Sequence, residues 1–167
     1  KGLYREGLKV YTSLNPIVQR AAEESVREQL AKLKEKNVTN AAVVVIRPQT
    51  GEILAMVGSA DFNDVAIDGQ VNVAVSPQQP GSAVKPFTYL AALEKGYSPA
   101  TLYWDMPKTY TNQYGQQFKP RNYDGKFHGP MLMREALARS MNITAVDTLE
   151  FVTVPSFLEM TNRVGIN

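Results

Sequence analysis

The 167-residue sequence has 18 Lys plus Arg against 16 Asp plus Glu, a net charge of +2, 44% hydrophobic residues and no cysteine. This composition suits one globular domain able to bury a core without cross-links. It excludes a disulfide framework and thiolate metal sites, and it is too evenly charged to make nucleic acid the main partner. No apolar run is long enough to span a bilayer. The start, Lys1-Gly2-Leu3-Tyr4-Arg5, has neither an initiating Met nor the apolar region of a signal peptide, so the chain reads as an excised piece of a longer protein.

Loose alternation over 8–13 predicts a strand. Asn15-Pro16 then opens a helix, with Pro16 at its first position. Ile17, Ala21, Ala22, Val26, Leu30 and Leu33 recur at helical spacing with Glu, Arg and Lys between them, the pattern of an amphipathic helix with a solvated charged face. The β-branched runs Ala41–Arg47 and Ile53–Gly58, joined by Pro48-Gln49-Thr50-Gly51, predict a hairpin in which Gly51 takes positive φ. Residues 61–79 read as a loop.

Pro80-Gly81-Ser82 leads into an Ala- and Leu-rich stretch closed by Gly96, a helix beginning near Ser82 with Pro86 in its first turn, where a missing N–H costs least. Residues 102–129 are rich in Tyr, Asn, Gly and Pro and read as a long loop, ordered by aromatics whose ordinary role is packing. Helices are expected over 131–140 and 154–164.

Ser82 and Lys85 stand three apart at a helix start and therefore share a face. A lysine stripped of its charge could take the serine proton and create a nucleophile. The helix start would favour developing negative charge. Spacing alone is weak: eight serines and ten lysines in this length give roughly half a Ser-x-x-Lys match by chance in an average composition, and the bland reading is a helix-start serine with a surface lysine. Ser140-Met141-Asn142 adds a hydroxyl able to relay a proton and an amide able to hold a peptide carbonyl, although a helix end with a nearby Asn is common. His128 is the only histidine, with no further ligands clustered near it in sequence.

Ser-x-x-Lys with Ser-x-Asn is the pairing shared by penicillin-binding proteins and class A β-lactamases. Longer stretches are similar to class A high-molecular-mass penicillin-binding proteins. Gln79-Pro80-Gly81-Ser82-Ala83-Val84-Lys85-Pro86-Phe87 resembles their nucleophile segment. Arg121-Asn122-Tyr123-Asp124-Gly125 with Gly129 resembles the loop before the second motif, and Arg134–Ile143 the second motif with its helix. Val10–Pro16, with the helix after it, resembles the connector between the glycosyltransferase and transpeptidase domains of that family, so a glycosyltransferase domain is expected upstream.

The resemblance implies an α/β (α+β) penicillin-binding transpeptidase or serine β-lactamase-like fold, a sheet flanked by helices plus a helical subdomain, incomplete in this chain. Residues 1–40 would be connector and 41–167 the N-terminal part of the transpeptidase domain. It implies a peptidoglycan D,D-transpeptidase in which Ser82 forms the acyl-enzyme, Lys85 is its base, Ser140 shuttles a proton, Asn142 holds substrate and the Ser82 N–H supplies half an oxyanion hole. The implied partners are stem peptides, β-lactam antibiotics and the remaining part of the domain, with no metal, cofactor or nucleic acid. The implied location is the extracytoplasmic face of the bacterial cytoplasmic membrane. The third motif, Lys-Thr-Gly or Lys-Ser-Gly, is absent, since Lys108-Thr109 is followed by Tyr110; it is expected downstream. A β-lactamase, a β-lactam sensor and a non-catalytic fragment are the rival readings. The hairpin 41–58 is expected to centre an incomplete sheet, leaving one face and one edge of Val43, Val45, Ile53 and Leu54 without partners.

Overall fold

The computed structural model describes residues 7, 9–112 and 114–166. It divides into two compact units, Lys1–Gln79 and Pro80–Asn167.

In the first unit, helix α1 spans Pro16–Leu33. Asn15, in extended conformation, accepts from Ile17 N and Val18 N, meeting two of the donors that a helix start leaves orphaned. The expected strand over 8–13 does not form: residues 9–13 carry no ladder, and Leu8 lies outside the described residues. Instead Ser13 Oγ donates to Ile53 O and Asn15 N to Leu54 O, so this segment bonds locally along another strand.

That strand belongs to the expected hairpin, β1 (Val43–Ile46) paired antiparallel with β2 (Ile53–Val57), with Gly51 at φ +75° in the turn. A register shift at Val45/Ile46 marks a bulge. Ala22 and Val26 of α1 pack on Ala55 and Val57, flanked by Val18, Leu30, Val43 and Val45. Ile17 and Leu33, expected on the packed stripe, are exposed. The Gln19 amide acts as a short mock strand: its Oε1 accepts from Met56 N at 2.9 Å and its Nε2 donates to Met56 O at 3.2 Å. Ser13, Asn15 and Gln19 thus satisfy part of the β2 edge. The expectation holds in part: among the described residues no further strand pairs with β1, but α1 covers the face of Val43 and Val45, and Leu54 is half-buried, so the exposed residues of the two strands are Val44, Ile46 and Ile53.

In the second unit, a 3-10 turn at Gly81–Val84 runs into α2 (Lys85–Glu94), so the α-helix starts one turn later than the sequence suggests, with Pro86 still in its first turn. Gly96 at φ +100° ends it. The long stretch expected as loop holds three strands and the first residue of a fourth: β3 (Leu102–Asp105) pairs with β6 (Gly129–Leu132), and β4 (Tyr110–Thr111) with β5 (Gln117–Phe118). The helix expected over 131–140 is really the end of β6 followed by α3 (Met133–Ala138). Helix α4 (Asn142–Val152), not expected, precedes α5 (Val154–Arg163). The core gathers Tyr89, Tyr103, Met131, Met133, Met141, Val152 and Met160. Tyr89 meets Tyr103 edge-on at 6.2 Å. Their hydroxyls are satisfied by Thr144 and Thr148 of α4, and burial pushes the Tyr103 hydroxyl up to about 12.

Candidate active site

All four candidate residues lie in the second unit: Ser82 on the 3-10 turn, Lys85 on α2, Ser140 in the turn between α3 and α4, and Asn142 at the start of α4. Ser82 is exposed in the 3-10 turn after Gly81, whose φ of +52° sets the bend. Lys85 is the first residue of α2 and is 8% exposed. Among the described residues no hydrogen bond joins the Ser82 hydroxyl to Lys85. Both line one cleft of about 600 Å³ together with Asn142, Phe118, Lys119 and Arg121.

The lysine points to the junction of α3 and α4. Its Nζ donates to Ser140 O at 2.6 Å, Ser140 Oγ at 3.2 Å and Asn142 Oδ1 at 2.6 Å. Three acceptors match the three hydrogens of an ammonium. Burial lowers the Lys85 pKa from 10.5, because desolvation penalises the charged form. In the neutral amine two bonds remain as donors, and the lone pair is free to accept from a hydroxyl.

The junction owes its shape to a Schellman motif. Met141 N donates to Ala136 O and Ser140 N to Leu137 O, closing α3 with Ser140 in the left-handed region at φ +54°. This turn aims the Ser140 carbonyl at Lys85. Glycine is the usual residue at such a position; a serine there costs about 1–2 kcal/mol of backbone strain.

Asn142 opens α4. Its Nδ2 donates to Arg121 O at 2.8 Å, which with the Lys85 bond fixes the amide orientation. Arg121 and Asn122 were legible only through the quoted loop resemblance. The cleft residues Phe118 and Lys119 had no distinct signal. Lys108, rejected as part of a third motif, pairs with Asp147 at 2.5 Å, and Tyr110 donates to the same carboxylate at 2.7 Å. Burial first, then that carboxylate, pushes the Tyr110 hydroxyl up.

An exposed serine with a buried, desolvated amine, a second hydroxyl and an oriented amide at one cleft is a set of groups suited to serine acyl transfer. The family profile described as the penicillin binding protein transpeptidase domain matches residues 41–167. The chain is 37% identical over 145 residues to penicillin-binding protein 1A of Rickettsia conorii, covering 86% of this chain and 18% of that protein. It is 36% identical over 159 residues to penicillin-binding protein 1C of Escherichia coli K12, covering 95% and 20%. A solved penicillin-binding protein of Mycobacterium tuberculosis superposes with a TM-score of 0.78 at 28% identity, over 99% of this chain and 40% of that one. The chain therefore belongs to the penicillin-binding protein transpeptidase family, on its class A branch. It spans about a fifth of the length of these curated relatives, which do not favour the β-lactamase or sensor readings.

Proposed function

We propose that this chain carries the nucleophile side of a peptidoglycan D,D-transpeptidase working through a serine acyl-enzyme at the outer face of the bacterial cytoplasmic membrane. Residues before about 41 act as a connector. The observation that carries the reading is the desolvated Lys85 amine held by Ser140 and Asn142 in the cleft that Ser82 lines.

Ser82 Oγ attacks the carbonyl of the D-Ala-D-Ala bond as its proton passes to neutral Lys85 Nζ. The Ser82 N–H stabilises the oxyanion, the remaining donor coming from the part of the domain that bears the third motif. Collapse breaks the peptide bond, and the departing D-Ala amine takes a proton relayed from Lys85 through Ser140 Oγ. An amine from a second stem peptide then attacks the ester, its proton goes to Lys85, and the Ser82 oxygen leaves and is reprotonated. Asn142 Nδ2 and the cleft wall orient the donor peptide. β-Lactams acylate the same serine. Hydrolysis of the ester would give carboxypeptidase activity at the same site.

The test is intact-protein mass spectrometry of the full-length protein after penicillin treatment. One acyl group on Ser82, lost in Ser82→Ala, is expected; an adduct on Ser140 or elsewhere would overturn the assignment.

A further inference from the structure

Helix α4 begins without a cap of its own. Its N-cap residue is Met141, whose side chain accepts nothing, so the Asn142 N–H would be one of the orphaned donors of a helix start. That donor is met from a distant loop: Asn142 N donates to Asn122 Oδ1 at 2.9 Å. Asn122 is 6% exposed and its amide has only one workable orientation. Its Nδ2 donates to both oxygens of Asp105, at 2.9 and 2.8 Å, and to Lys126 O at 2.8 Å. A carboxylate only accepts, so the Asn122 nitrogen faces Asp105 and its oxygen must face α4.

Asp105 is fully buried at the end of β3. It also accepts from His128 N at 2.9 Å and from His128 Nδ1 at 2.7 Å, which puts a hydrogen on that ring nitrogen. His128 Nε2 lies 3.1 Å from Asp124. A buried carboxylate is tolerated only with such donors around it. Here it orients one amide, and that amide holds the backbone of the residue that accepts from Lys85.

We infer that Asp105, Asn122 and His128 form a positioning unit for the acyl-transfer site, fixing Asn142, and through it Lys85, from outside the two sequence motifs. For its kinetic consequence this rests on the transpeptidase reading. None of the three touches the reacting atoms, and their effect runs through the register of α4. Asn122→Ala removes the acceptor. Asn122→Asp keeps the shape but sets an acceptor against Asp105, and the swap Asp105→Asn with Asn122→Asp restores a donor between them.

The experiment uses the full-length protein with two readouts: hydrogen exchange at the Asn142 amide, and the penicillin acylation rate constant per active serine, with active serines counted by adduct mass. Asn122→Ala and Asn122→Asp should each lose Asn142 protection and acylate about tenfold more slowly per site, the scale of one lost hydrogen bond. The swap should recover protection and part of the rate, the coupling expected of partners in one network, the remainder being lost because the Lys126 carbonyl no longer has the Asn122 Nδ2 donor. If Asn122→Ala does not fold, Asn122→Asp against the swap makes the same decision. A merely structural role would lower the number of active serines and leave the per-site rate unchanged, and that result overturns the inference. So does unchanged Asn142 protection in Asn122→Asp. If the parent takes no acyl group at Ser82, the transpeptidase reading fails, while Asn142 exchange still decides whether the unit positions α4.

Discussion

The two units bury very different side chains. The core of the first is two alanines and two valines, with Val44, Ile46 and Ile53 of its hairpin open on the other face. The second buries two tyrosines, several methionines, Ile143 and Val152, and meets its buried hydroxyls with threonines of α4. All four candidate site residues lie in the second. A lysine can be desolvated and aimed to a few tenths of an ångström only where its acceptors sit on packed elements, and α2 and α4 are such elements.

The sharpest test of that contrast is chemical. Lys85→Arg keeps the charge but cannot supply a free base, so penicillin acylation of the full-length protein should fall by about 10²- to 10⁴-fold, the usual reach of general-base catalysis. In the parent the neutral fraction of Lys85 grows as pH rises, so the acylation rate should climb with pH and level off through a pKa below 10.5. In Lys85→Arg that limb should vanish. An unchanged pH profile would rule out the free-base role.

Packing comes next. Ile143 is fully buried, and Ile143→Ala should cost about 2–5 kcal/mol in denaturant unfolding. A loss no larger than that of a surface change would mean that Ile143 is not held in a packed core. In the first unit the largest local effect should be at the helix cap: Asn15→Ala removes the acceptor for two α1 amides and should cost about 1 kcal/mol in the same measurement. The smallest effect belongs to the open face of the hairpin. Ile46 is 52% exposed, and Ile46→Thr should change stability by no more than about 0.5 kcal/mol.

What the sequence revealed follows the range of the forces involved. Asn15-Pro16, the β-branched runs around Gly51 and the stop at Gly96 are local signals, and each matches a structural feature at its expected place. Ser82, Lys85, Ser140 and Asn142 could be picked out as candidates because their spacing was a motif; the convergence of Ser140 and Asn142 on the Lys85 ammonium is visible only in the fold. The strand expected over 8–13 fails because residues 9–13 carry no ladder: Ser13 meets β2 through its side chain alone, and the backbone bond to β2 comes from Asn15, beyond the expected strand. Helix α4 was missed because its start carries no capping side chain; the acceptor comes from Asn122, twenty positions earlier. β3 and β6 stayed hidden because each is four residues long and pairs across a long separation. Asp105 gave no signal, since one carboxylate in an aromatic-rich stretch looks like any polar loop residue.

The left-handed backbone at Ser140 separates two kinds of selection that usually act together. Glycine would relieve the strain of that turn, so pressure for folding alone drifts away from serine at position 140. The proton-shuttle role proposed for its hydroxyl would account for a serine there. A stability screen of variants at this position should therefore rank Ser140→Gly at or above the parent, and a screen for cross-linking should rank it near the bottom. The disagreement between the two rankings would measure how much fold stability this position gives up for its chemistry.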